Sequence, residues 1–209
     1  MTDRSITVDF ASKPVRIDEE PRPGLIDAVS VEGTLVLREH GQEEDIGFIR
    51  AVSIPTQAMG TSLVAHMVHK MEFEDVAGLL MTLSEHGFHS LLRRLEIYSS
   101  HVMLVSAVGV DERYQSLGYG RAMFEWMSRV FHDPLVLLEA EPMICEGGEL
   151  HNYKIGDTDI FRTIRYQRDR LHKFYKAIGL HQHDNMEHVF VGRVQRHKTR
   201  ESFVREAWA

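Results

Sequence analysis

Gln115-Ser116-Leu117-Gly118-Tyr119-Gly120-Arg121-Ala122 lies between an apolar stretch, Val102 to Val110, and an amphipathic one, Arg121 to Phe131. That order predicts a strand, a tight turn and a helix. The amides of a helix's first turn have no acceptor inside the helix, and the helix dipole is positive at that end. Glycines at 118 and 120 let a ligand approach the backbone closely. The stretch therefore suits a phosphate or pyrophosphate. It is not a dinucleotide fingerprint, because position 123 is Met where a third glycine is needed, and the Gly-Lys-Ser/Thr of a P-loop is missing. A turn that needs glycine only for its own conformation is the competing reading.

Working outward, Ala122, Trp126, Met127 and Val130 suggest a core-facing stripe, and Asp133-Pro134 stops the helix. Leu135 to Ala140 reads as a buried strand. Residues 141–159 form a polar, glycine-containing insertion, and 141–163 are expected to form a mobile, substrate-facing flap. Ile164, Leu171, Phe174 and Ile178 mark a long helix. Leu180 to His183 and Glu187 to Arg193 flank Asp184-Asn185 as a hairpin. Upstream, helical spacing covers Leu63 to Met71, Phe73 to His86 and Phe88 to Ile97. Leu25 to Arg38 and Asp45 to Ile54 read as a hairpin around a polar turn at 39–44. Residues 1–24, with Pro14, Pro21 and Pro23, read as an irregular arm, 25–196 as one domain and 197–209 as a tail. Phe203, Val204 and Trp208 on that tail are expected to dock on the domain or on a second copy, making a homodimer.

Gln-x-x-Gly-x-Gly after a strand resembles the acetyl-CoA pyrophosphate loop of the GCN5-related N-acetyltransferase (GNAT) family. A second element agrees with it: Leu171, Phe174, Tyr175, Ile178 and Gly179 resemble that family's late helix and its exit. The resemblance covers roughly residues 100 to 193 and is poor before that. It implies an α/β fold, a GNAT-like mixed central sheet flanked by helices. The amino-terminal topology is a variant, since the hairpin precedes the helices where the family commonly has a strand, two helices and three strands.

The resemblance also implies an activity, transfer of an acetyl group from acetyl-CoA to a primary amine by direct attack within a ternary complex. Gly118, Tyr119, Gly120 and Arg121 would give backbone donors to the pyrophosphate, with Gln115 at the loop's start. Val108, Gly109 and Val110 would run beside the pantetheine arm, Gly109 marking either a bulge, a close approach or packing against a helix. Tyr175 matches the tyrosine that protonates the departing thiolate in many members; packing beside Phe174 is its other reading. Glu139 and Glu141 lie on one face by strand alternation, as general base if that face is the cleft and as solvated charges if it is not. Fold does not imply function, so a non-catalytic CoA-binding or protein-interaction module on the same fold is the alternative.

Composition narrows the partners. The chain has 209 residues, 43% of them hydrophobic and 26% charged, and its net charge is 24 − 31 = −7. That balance argues against nucleic acid and for a cationic acceptor, a small amine or a lysine-bearing protein. Local crowding of Arg162, Arg165, Arg168 and Arg170 reads either as a local basic patch or as a solvated helix face. Cys145 is the single cysteine, so no intrachain disulfide forms, and its loop has no supporting base. The histidines, 13 in all, have no zinc-binding spacing, and no metal is expected, although His181, His183 and His188 could converge across the last hairpin. The first twenty residues lack a signal-peptide core and no run is long enough for a bilayer, so a cytoplasmic location without a membrane is the expectation.

Overall fold

The computed structural model describes residues 4–15, 28–58, 99–140, 145–146, 149–150, 158–184 and 186–195. Along them run β1 (Arg4–Pro14), β2 (Val29–Glu39), β3 (Gln42–Pro55), β4 (His101–Val110), α1 (Tyr119–Val130), β5 (Leu135–Glu139), β6 (Cys145–Glu146), β7 (Glu149–Leu150), α2 (Thr158–Ala177), β8 (His181–His183) and β9 (Met186–Gly192). Seven strands make one mixed sheet in the order β1-β2-β3-β4-β5-β9-β8, and β6 pairs with β7 apart from it. Every neighbouring pair in the sheet is antiparallel except β4 and β5. Parallel neighbours need a crossover, and α1 supplies it. The class is α/β, as expected.

One face of the sheet packs on the helices. Leu35, Leu37, Ile46, Ile49, Met103, Val105, Val136, Leu138 and Phe190 share a core with Met123, Phe124 and Met127 of α1 and Tyr175 of α2. On the opposite face Val52, Ile54, Val102, Leu104, Leu135, Leu137, Val189 and Val191 are buried too. Burial on both sides is why β4, β5 and β9 read as continuous apolar runs instead of alternating ones.

Four expectations change. Residues 4–14 are a strand, not an irregular arm: Ile6, Val8 and Phe10 alternate with polar residues, and β1 pairs along its whole length with β2. The hairpin turn is only His40-Gly41, both left-handed at φ 54 and 77. Gln42, Glu43 and Glu44 therefore belong to β3, where Arg38 Nε donates to Glu43 at 2.7 Å across the hairpin. On α1 the buried residues are Met123, Phe124, Met127 and Ser128, while Val130 is exposed. The stripe is rotated from the expected one because Phe124 anchors the helix, its ring 6.0 Å from those of Phe174 and Tyr175. Ile178 falls just past α2, in the turn that leads to β8. The expected helices between 63 and 97, most of the insertion and the carboxy-terminal tail lie outside the described residues. The carboxy-terminal hairpin is present as β8 and β9. No helix among the described residues is long and apolar enough to cross a membrane.

Candidate active site

β4 and β5 part midway. Their ladder runs from Val102 opposite Leu135 to Val105 opposite Leu138 and stops there. Beyond it β4 continues to Val110 against β3, whereas Glu139 and then Ala140 stay with β9, Ala140 N–H donating to the His188 carbonyl at 2.7 Å. Ser106 sits at the parting. Arg50 faces Ala107 and Ala51 faces Val105, so Ser106 is the extra residue of a β-bulge, and its hydroxyl donates to the Arg50 carbonyl at 3.2 Å. Of the readings of Gly109 the close approach is the one observed, a Cβ there coming within 2.7 Å of the Phe48 ring on the neighbouring strand, while the bulge lies three residues earlier. Val108 and Val110 pack partly against the helix-side core. Ser106 to Val110 therefore present an edge to which no strand among the described residues is paired.

That edge leads into the glycine turn. Asp111 N–H donates to the Ile46 carbonyl at 2.9 Å, a short 3-10 turn covers Glu112–Tyr114, and Gln115 Nε2 donates back to the Val110 carbonyl at 3.0 Å. Gln115 thus braces the loop with its side chain. Ser116 takes a left-handed φ of 62, and Gly118, the N-cap of α1, takes 89. A Cβ at Gly118 would meet no atom within 4 Å, so conformation alone requires glycine, and the space over it is open. Ala122 N–H makes the first helical bond, to the Gly118 carbonyl, leaving the Gly120 and Arg121 amides ahead of the helical ladder. Gly120 lies against Phe174 and Val110, where a Cβ would be 3.5 Å from the Phe174 ring. An open-faced glycine turn at a helix N-terminus, continuous with an unpaired strand edge, fits a pyrophosphate carrying an extended amide arm.

The sequence did not reveal what holds the loop. Glu44 of β3 accepts from Arg113 Nη2 at 2.7 Å and from the Tyr114 hydroxyl at 2.8 Å. Asp111 also binds Arg113, through Nε at 3.1 Å, Nη2 at 2.9 Å and the backbone amide at 3.0 Å. These bonds lower the Asp111 pKa, raise that of Arg113, and, through the hydrogen bond to Glu44, raise that of Tyr114. Arg121 has a second surprise. Its side chain turns from the loop to Glu125 (2.9 Å), the Ala177 carbonyl (3.3 Å) and the Gln195 carbonyl (3.1 Å), tying α1 to the end of α2. Only its amide faces the glycine turn. The two tethers share a signal, an arginine beside the glycine motif, but their partners Glu44, Ala177 and Gln195 lie 56 to 74 residues away in sequence.

Tyr175 is 4% exposed, its ring among those of Phe124, Phe174 and Phe190. Burial alone raises its pKa, so the phenol stays protonated through the neutral range. One turn earlier His172 lies 5.1 Å from the Phe190 ring and 6.3 Å from His188. Neither His172 Nε2 nor His188 Nδ1, both buried, has a hydrogen-bond partner among the described residues. Burial first, and then the charges of His188, Lys176 and Arg168, lower the His172 pKa. Sequence spacing grouped His188 with His181 and His183; the fold sets it beside His172 instead. No three potential metal ligands come together among the described residues. Glu139 ends β5 on the face of Leu135 and Leu137, opposite Tyr175, and Glu141 lies outside the described residues.

No protein-family model matches the chain, and no curated protein matches it. Among solved structures it is similar to an agmatine N-acetyltransferase, a variant in its apo form. The TM-score is 0.34 at 14% identity, covering 77% of this chain and 73% of that one.

Proposed function

We propose that the protein is an acetyl-CoA-dependent N-acetyltransferase of the GNAT type, acylating a primary amine. The observation that carries this reading is the continuity of the unpaired β4 edge, Ser106 to Val110, with the glycine turn at the start of α1. Backbone amides of Gly118 to Arg121 would hold the pyrophosphate, with Gln115 bracing the turn, while Val108, Gly109 and Val110 would pair with the pantetheine amides. Acetyl-CoA bound there would supply an activated thioester.

The chain's own groups have three tasks. A backbone amide on the open edge near the Ser106 bulge would offer a donor to a carbonyl oxygen that gains charge. Glu139, at the mouth where β4 and β5 part, takes a proton from the acceptor ammonium through water. Tyr175 donates to the departing sulfur; its raised pKa makes it a donor and never a base at neutral pH. The acidic chain, at −7, favours a cationic acceptor, either a small amine or a lysine-bearing protein.

Thiol release from acetyl-CoA with a panel of amines tests the reading. Amine-dependent release of CoA thiol is the expected result. CoA binding without release for any amine would point to a non-catalytic module, and absence of CoA binding would remove the reading altogether.

A further inference from the structure

We infer that Glu44, on a strand with no place in the sequence motif, is a positioning residue that sets the geometry of the pyrophosphate loop. The inference rests on the acetyl-CoA reading above. Its origin is a second β-bulge. Leu35 faces Gly47 and Val36 faces Asp45, so Ile46 is the extra residue in β3. A bulge shifts the alternation of the residues that follow it along the strand. Without it Asp45 would share the helix-side face with Ile49; with it that place passes to Glu44, directly opposite the core residue Leu37. Gly47 permits the distortion, since a Cβ there would lie 2.7 Å from the Gly109 carbonyl oxygen. Glu44 thereby stands beside the chain as it leaves β4.

Two donors from the loop converge on its two oxygens, Arg113 Nη2 on Oε1 and the Tyr114 hydroxyl on Oε2. Both come from the residues just ahead of Gln115. Downstream the chain holds Ser116 in a left-handed conformation that a non-glycine residue adopts only under external constraint. Glu44 supplies part of that constraint from outside the loop, and the Tyr114 ring, 6.3 Å from that of Tyr119, extends the hold to the first residue of α1. A loop ordered in advance spares a ligand the entropy of ordering it. One effect opposes this. Glu44 and Asp111 are two carboxylates about one guanidinium, and an uncompensated carboxylate near the turn would repel phosphate.

Calorimetry with CoA and with pantetheine, which lacks the pyrophosphate, separates these effects. Wild type is compared with Glu44→Ala, Glu44→Gln and Tyr114→Phe, each checked by thermal unfolding. Glu44→Ala is expected to weaken CoA about tenfold and to leave pantetheine within about twofold, the scale for two half-exposed charge-assisted hydrogen bonds. Glu44→Gln, whose amide oxygen still accepts, should lose less, and Tyr114→Phe about threefold. A Glu44→Ala protein that binds CoA as tightly as wild type, or more tightly through relieved repulsion, would overturn the inference. So would equal losses for CoA and pantetheine. If Glu44→Ala does not fold, unchanged CoA affinity in Tyr114→Phe overturns it in the same way. Wild type with no preference for CoA over pantetheine would instead sink the pyrophosphate assignment itself, before any variant is compared.

Discussion

The two halves of β4 are built from the same kind of residue and do different work. From Val102 to Val105 the strand is paired on both edges and its side chains are 0 to 3% exposed. From Ser106 to Val110 it is paired on one edge and none of its residues is fully buried. Val-Met-Leu-Val and Ala-Val-Gly-Val both read as apolar, without a charged or strongly polar residue. One extra residue, Ser106, and the departure of β5 toward β9 separate a half paired on both edges from a half with one open edge. An apolar run thus says that a strand is covered, not by what.

That comparison can be broken at several points. Leu104→Ala and Val108→Ala make the starkest pair. Leu104 is 1% exposed, and truncating it should cost about 3 kcal/mol through lost burial and a cavity, measured by denaturant unfolding. Val108, half-buried, should cost about 1 kcal/mol or less. Equal costs would mean that the upper half is as structural as the lower one. Gly120→Trp tests the loop that the upper half feeds. The indole would have to displace Phe174 or occupy the open face of the turn, so acetyl-CoA affinity should fall by at least about 100-fold with the fold retained. Unchanged calorimetric affinity would remove the ligand from this face.

Tyr175→Phe keeps the ring among its phenylalanine neighbours and removes only the proton. Turnover should fall by about 10- to 1,000-fold while acetyl-CoA affinity and stability persist. Wild-type turnover on the true acceptor would make Tyr175 a core ring and nothing more. The smallest effect concerns His172, whose pKa is lowered in the fold. The unfolded chain then binds more protons between the folded value and the usual value near 6.5, so stability is full above that window and declines as pH falls through it. Melting temperature should drop as pH falls below the usual histidine value near 6.5, and His172→Gln should shallow the slope. An identical slope in the variant would assign the pH response to other groups.

The strand-turn-helix around Gly118 and the last helix and hairpin were legible because each carries its own local signal: glycine spacing, an apolar stripe, a turn dipeptide. β1 was obscured by the prolines around it, although Ile6, Val8 and Phe10 alternate plainly. The rotation of α1 was not legible, because Trp126 and Phe124 are equally apolar and only the partner face chooses between them. The glycine turn was legible as far as its backbone. Its long-range tethers were not. Glu44 reads as a turn charge until the Ile46 bulge is known, and the Arg121 side chain has no evident partner until its carbonyl acceptors at Ala177 and Gln195 are in place. Nothing local to either residue encodes a partner 56 to 74 residues away.

Backbone hydrogen exchange with and without acetyl-CoA tests the division of β4 most directly. Amides between Ser106 and Val110 that point away from β3, and those of Gly120 and Arg121, should exchange readily in the free protein and gain protection when acetyl-CoA is added, while Val102 to Val105 stay protected throughout. Protection confined to some other part of the chain, or an upper half already as protected as the lower one and indifferent to acetyl-CoA, would contradict a ligand-facing β4 edge.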